Sequence, residues 1–285
     1  MTTTPMQTLT AEQASQLRNL SSTDAPHSGG NHTGSLKTIV RIAVGLLVAV
    51  LLALLVASHL GGSASSSGGD AQAVQQGYGA AAQRALPSVV QINAPSGQGS
   101  GVILDTTGNI VTNAHVVGSA TTFTVVLANS NRAYTAKLVG TYQADDLAVI
   151  KIEGASGLRP AQFTNSANVG DLVLAVGGPL GHKTGAAQGI VSATGRTVTD
   201  SNQAGNTLPD MVQTSAAISR GNSGGALVGL NGGVVGISTL ALSSPTAGAS
   251  SPSGASGIGF AVPAKIAHDI ASQLVQHGKV VNGAG

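Results

Sequence analysis

The chain has 285 residues, a formal charge of only +2, 8% charged residues and no cysteine, so disulfides and thiol chemistry are excluded. It has no basic run, and its aromatic residues are three Tyr and three Phe without Trp, which leaves little for a nucleic-acid-binding surface. The 40 glycines, together with plentiful alanine and valine, suit short strands joined by tight turns.

In chain order, residues 1–37 are polar, lack apolar periodicity and are expected to form a disordered tail. Residues 38–60 are expected to form one transmembrane helix. Within them, 42–60 are interrupted only by Ser58 and His59, and as a helix they span roughly 28 Å, close to the hydrocarbon thickness of a bilayer. Arg18, Lys37 and Arg41 precede this segment, and no Lys or Arg follows until Arg84. That asymmetry predicts a cytoplasmic N-terminus, with all that follows residue 60 outside the cell membrane. A cleaved signal peptide is the competing reading, with small residues near Ala57 and at Ser63–Ser65, but an n-region reaching to Arg41 is long for one. Residues 61–79 have the Gly/Ser/Ala/Gln composition of a flexible linker. A short helix is expected within 71–85, ended by Pro87.

Strands are predicted at 89–93, 101–104, 110–113, 121–127, 133–140 and 147–152. A Pro/Gly/Asn-rich break follows at 154–170, and further strands at 172–176, 188–194, 211–214, 226–230, 234–240 and 259–262. Two sets of six make an all-β domain of two six-stranded antiparallel β-barrels over residues 80–285. Stretches 195–210 and 241–256 are expected as long loops. Residues 264–277 predict a C-terminal helix, entered after Pro263 and ended by Gly278. Its Ile266, Ile270 and Leu274 share a face expected to pack on the second barrel.

The chemistry concentrates in three places: Thr112-Asn113-Ala114-His115, Asp145-Asp146-Leu147, and Arg220-Gly221-Asn222-Ser223-Gly224-Gly225. A serine hydroxyl needs an adjacent base; His115 supplies one, and Asp146 would fix its tautomer and stabilise its protonated form. Singly, a serine among glycines is usually a turn, and Asp145 competes with Asp146. The order His115, Asp146, Ser223 within a two-barrel layout is what favours a catalytic triad, with Asp146 preferred over Asp145. The same glycine pattern fits the nucleophile elbow of an α/β-hydrolase, but that fold needs its acid and then its base after the serine. There Asp269 and His277 lie only eight residues apart on one helix. Gly221 and Ser223 N–H groups are the natural oxyanion donors, Gly221 because a side chain would hinder turning its N–H inward. No cluster has metal-ligand spacing, so neither metal nor cofactor is predicted.

On these motifs, together with Gly99-Ser100-Gly101-Val102, Gly189-Ile190-Val191-Ser192-Ala193 and Gly257-Ile258-Gly259-Phe260, residues 80–280 resemble the HtrA (Deg) family of trypsin-fold serine proteases. The resemblance implies a membrane-anchored endopeptidase acting on misfolded or regulatory proteins, with protein or peptide substrates, and a homotrimer as the assembly to expect. It carries over His115, Asp146 and Ser223 as the triad and Gly221 as an oxyanion donor. A noncatalytic peptide-binding or chaperone relative is the alternative. Most members carry a C-terminal PDZ domain, but this sequence stops at Gly285, so activation through such a domain is not expected. Ser215 and Ser219 stand where the family usually has Asp and Asn, and Gly178-Pro179-Leu180 stands for Asn-Pro-Phe. Ala217, six residues before Ser223, gives an uncharged pocket suited to small aliphatic side chains. Ile237, Ser238 and Thr239 are expected to offer the strand edge on which a substrate pairs.

Overall fold

The computed structural model describes residues 35–60, 66–95, 97–128, 132–164, 167–178, 185–200, 206–219, 221–241 and 258–282. Of the loop expected at 241–256, all but Ala241 lies outside them, as do residues 1–34 of the tail expected at 1–37. The chain divides into two units, Met1–Ser66 and Ser67–Gly285.

The first unit carries α1 (Ser35–Leu60), whose described side chains, 41–56, are all exposed. Among the described residues no helix is long and apolar enough to cross a membrane. The remaining side chains of the span expected at 38–60 lie outside the described set.

The second unit opens with α2 (Ser66–Ala85), which takes in much of the stretch expected as a linker and starts ahead of the helix expected at 71–85. The later turns of this helix are anchored on the domain. Ala81 and Ala85 are buried, and the Tyr78 hydroxyl reaches Gly189 O at 3.4 Å. A 3₁₀ turn at Leu86–Ser88 ends the helix at Pro87.

The first barrel comprises β1 (Val89–Ala94), β2 (Gly97–Ile103), β3 (Asn109–Asn113), β4 (Thr122–Leu127), β5 (Ala133–Tyr142) and β6 (Leu147–Ile152). A four-residue helix, α3 (Ala114–Val117), follows β3. The second comprises β7 (Leu172–Gly177), β8 (Gly185–Asp200), β9 (Asn206–Thr214), β10 (Ala226–Gly229), β11 (Val234–Ala241) and β12 (Gly259–Pro263), followed by α4 (Ala264–His277). Both barrels close, in the orders β1-β2-β3-β6-β5-β4 and β7-β8-β9-β12-β11-β10, so the second repeats the topology of the first.

Alternation along the strands explains their near-continuous apolar character. Val90, Ile103, Ile110 and Ile150 fill the first barrel. Their chain neighbours Val89, Val102, Val111 and Val149 join Val176, Ala226, Ile237 and Val262 of the second barrel, with Ile270 and Leu274 of α4, in a shared core. Helix α4 therefore packs on both barrels, not on the second alone. Space for it on β5 depends on Gly140, where a Cβ would sit 2.6 Å from Gly278 O and 3.1 Å from a Leu274 methyl.

The stretch expected as a loop at 195–210 is instead largely the outer part of the β8–β9 hairpin. Its register shifts three times, Gly195 takes φ +66°, and Val198 pairs with Leu208, both buried. That cross-strand apolar pair supplies the burial which the Gly- and Thr-rich composition hides. Residues 201–205 at its tip lie outside the described set.

Candidate active site

Antiparallel pairing of β3 with β6 sets Asn113 opposite Leu147, so the residues just beyond each, Ala114 and Asp146, meet at the same end of the barrel. The Asp146 carbonyl accepts Ala114 N–H at 3.0 Å and Asn113 Nδ2 at 2.9 Å. Asp146 takes a left-handed backbone (φ +52°, ψ +43°). A non-glycine residue there is uncommon, and the bonds around Asp146 hold it in place.

Its carboxylate is fully buried yet well supplied with donors. Oδ1 accepts His115 N–H at 2.9 Å, and Oδ2 faces His115 Nδ1 at 2.7 Å and the Thr239 hydroxyl at 2.5 Å. A carboxylate accepts, so the neutral imidazole carries its proton on Nδ1 and keeps the Nε2 lone pair free. The His115 side chain is 30% exposed, open enough for a reacting group to reach. Asp145 has a different environment: burial, and then the charge of Asp210, push its carboxyl above the usual range.

Ser223 lies in the tight turn at 221–224, delivered from the second barrel just before β10. Its Oγ donates to Thr239 O at 3.1 Å, so its hydrogen bond goes to β11 and not to His115. Thr239 thus touches both halves of the site, Ser223 through its carbonyl and Asp146 through its hydroxyl. It has this freedom because the β11–β12 register shifts between Ser238 and Leu240, leaving Thr239 without a ladder partner. Ile237 and Ser238, by contrast, are buried and paired with Val262 and Ala261. Ala217 is exposed, and its carbonyl accepts Asn222 Nδ2 at 3.3 Å.

Gly221 adopts φ +97°, a conformation open to glycine. Among the described residues, neither Gly221 N–H nor Ser223 N–H donates to a protein acceptor, whereas Asn222, Gly224 and Gly225 N–H groups all do. Gly224, at φ +81°, has no room for a side chain: a Cβ there would run into Ser100 O and the Thr112 hydroxyl.

Two residues without an expected role are part of this arrangement. Ser100 of β2 contacts the nucleophile turn directly, and Thr112 Oγ1 donates to Ser100 O at 2.7 Å. Ser100 stands between Gly99 and Gly101, so no local signal marked it; the partner of its hydroxyl, Gly221, is 121 residues away.

Residues 99–237 match the family model of the trypsin-like peptidase domain. Serine protease PepD of Mycobacterium tuberculosis is 38% identical over 214 residues, 70% of this chain and 46% of that protein. Serine endoprotease DegS of Escherichia coli (strain K12) is 35% identical over 263 residues, 87% of this chain and 72% of that protein. Against PepD and the DegS of Haemophilus influenzae, this chain spans about half the relative's length, 46% and 52%. Among solved structures, the HtrA-type protease AlgW with a tripeptide superposes with TM-score 0.63 at 37% identity, covering 71% of this chain and 65% of AlgW. A serine endoprotease from Yersinia pestis gives 0.59 at 38% identity, covering 71% and 68%. With a DegS relative aligned over most of both chains, two closed six-stranded barrels, and His115, Asp146 and Ser223 on the connections between their strands, the chain belongs to the HtrA family of trypsin-fold serine proteases.

Proposed function

We propose that this chain is a membrane-anchored, extracytoplasmic serine endopeptidase that cleaves misfolded or regulatory proteins through an acyl-enzyme. One observation carries the chemistry: a fully buried carboxylate holds His115 by its backbone N–H and by Nδ1, which leaves Nε2 as the base. Ser223 Oγ leaves Thr239 O and passes its proton to Nε2 as it attacks the substrate carbonyl carbon. The tetrahedral oxyanion takes the Gly221 and Ser223 N–H groups, the two in the turn that have no acceptor among the described residues. His115 then protonates the departing amine as the C–N bond breaks, and water, deprotonated at the same nitrogen, releases the acyl group. Ala217 offers no charge to a side chain beside it, which favours small aliphatic residues before the scissile bond.

The anchor is supported by the sequence of 42–60 and by the exposure of every described side chain of α1, an apolar surface. The Lys and Arg placement supports a cytoplasmic N-terminus with the barrels outside. Assembly as a homotrimer belongs to the same proposal.

Fluorophosphonate labelling of the full chain in detergent, beside Ser223→Ala, tests the chemistry. Labelling of the parent protein alone, with cleavage of an unfolded protein that the variant cannot perform, is the expected result. Equal behaviour of the two proteins rejects the enzyme and leaves a noncatalytic peptide-binding relative.

A further inference from the structure

Ser100 is fully buried on β2, in the first barrel, yet its bonds reach the nucleophile turn of the second. Its N–H donates to Ser223 O at 2.8 Å, and its hydroxyl donates to Gly221 O at 2.6 Å. The same hydroxyl accepts Gly178 N–H, just beyond β7, at 2.9 Å. Ser100 O in turn accepts the hydroxyl of Thr112, on the strand that leads to His115. One residue therefore grips the carbonyls of Gly221 and Ser223, the two residues of the turn whose N–H groups have no acceptor among the described residues.

The packing leaves the turn pressed onto this residue. A Cβ on Gly177 would lie 3.0 Å from Ser100 Oγ and 2.8 Å from Asn222 Oδ1; one on Gly225 would lie 3.2 Å from Ser100 Cβ. Gly221 has no side chain of its own to resist rotation of the Gly221–Asn222 peptide. That peptide is held at its two ends, the carbonyl by Ser100 Oγ and the N–H by Ser219 O at 2.9 Å. A buried hydroxyl with its donor and acceptor both used is a directional restraint that an apolar side chain of the same size lacks.

We propose that Ser100 is a positioning residue: its hydroxyl fixes the Gly221–Asn222 peptide so that the oxyanion donors are set before substrate arrives. It touches no reacting atom and acts through the turn. The proposal rests on the acyl-enzyme chemistry proposed above, and it ties the segment after β7 to the nucleophile turn through one oxygen.

The test uses the full chain in detergent, as parent protein, Ser100→Ala, Ser100→Cys and Ser223→Ala. Cleavage of a peptide with a small aliphatic residue before the scissile bond gives kcat and KM. A peptide boronate, whose tetrahedral adduct places an oxygen at the oxyanion position, gives an inhibition constant. For Ser100→Ala the expected result is a roughly 10- to 100-fold fall in kcat, somewhat less than the loss of a whole oxyanion donor. KM should stay within about threefold and boronate affinity should fall in step with kcat/KM. Ser100→Cys keeps the volume with a weak donor, and carries the same expectation if the alanine variant does not fold. A kcat within twofold of the parent per folded molecule, in either variant, overturns the proposal. Amide exchange at Gly178 and Asn222 reads the restraint without catalysis: exchange more than tenfold faster in Ser100→Ala is expected, and unchanged exchange overturns it. If the parent and Ser223→Ala cleave alike, the protease chemistry fails, and the exchange arm still decides whether Ser100 holds the turn.

Discussion

Thr239→Val removes one hydroxyl and keeps the shape of the side chain. That hydroxyl donates to Asp146 Oδ2 at 2.5 Å, with Thr239 2% and Asp146 0% exposed. A hydrogen bond to a buried charge contributes about 1.5–3 kcal/mol to stability. For a domain of this size each kcal/mol moves Tm by roughly 2–4 °C, so Tm should fall by about 3–12 °C. The effect on rate is smaller, because Asp146 carries its charge both before and after His115 takes a proton. Only an interaction that differs between those states changes kcat. His115 keeps both of its bonds to Asp146, and Ser223 keeps its bond to the Thr239 carbonyl, so kcat should drop by less than about tenfold. Thermal unfolding followed by circular dichroism, with kcat on a peptide substrate, measures both, and Thr239→Ser, which retains the donor, serves as the control. An unchanged Tm would refute the hydrogen bond as a stabilising element. A kcat loss near that of removing the acid would show that the hydroxyl takes part in proton transfer.

Asp146→Asn should lower kcat by roughly 10⁴, through the wrong imidazole tautomer, while Asp145→Asn should leave it unchanged. Because burial and then Asp210 raise the Asp145 carboxyl, its protonated form favours the fold at low pH, and that contribution is lost as pH rises through the folded value. Asp145→Asn should accordingly raise Tm at pH 7 and leave it unchanged near pH 3, a difference read by unfolding at the two pH values. For the anchor, Leu47→Arg with Leu51→Arg introduces two charges costing about 2.5–3.5 kcal/mol each at mid-bilayer. The doubly substituted chain should leave the membrane fraction on alkaline carbonate extraction, and retention equal to the parent would reject the span.

The residues that could be read from sequence are those whose local chemistry punctuates the chain. Leu147–Ile152 and Ala264–His277 match their predicted bounds because Asp146 precedes the first, and Pro263 and Gly278 frame the second. His115 and Asp146 were legible as a pair because each stands at the end of an apolar strand. What escaped depends on contacts distant in sequence. The β8–β9 hairpin needs the meeting of Val198 with Leu208, and the second surface for α4 is opened by Gly140 on β5. Ser100 reads locally as one small residue between glycines; its role becomes visible only with Gly221, 121 residues away, on its hydroxyl.

The proposed base His115 and acid Asp146 belong to one barrel and the proposed nucleophile Ser223 to the other, so their mutual placement is a property of the junction. Two residues span it with side-chain oxygens at the site, Ser100 toward the turn and Thr239 toward Asp146. Among the described residues, the Ser223 hydroxyl has one bond, a neutral one to Thr239 O. Such a bond contributes about 1 kcal/mol net, a factor of roughly five in population, and the alternative bond to His115 Nε2 returns a similar amount. Turning the serine toward its base is therefore a small step, whereas disturbing Gly221 breaks a buried bond to another barrel. Control of activity in this fold is thus expected to act on the turn that carries the oxyanion donors more than on the rotamer of the nucleophile.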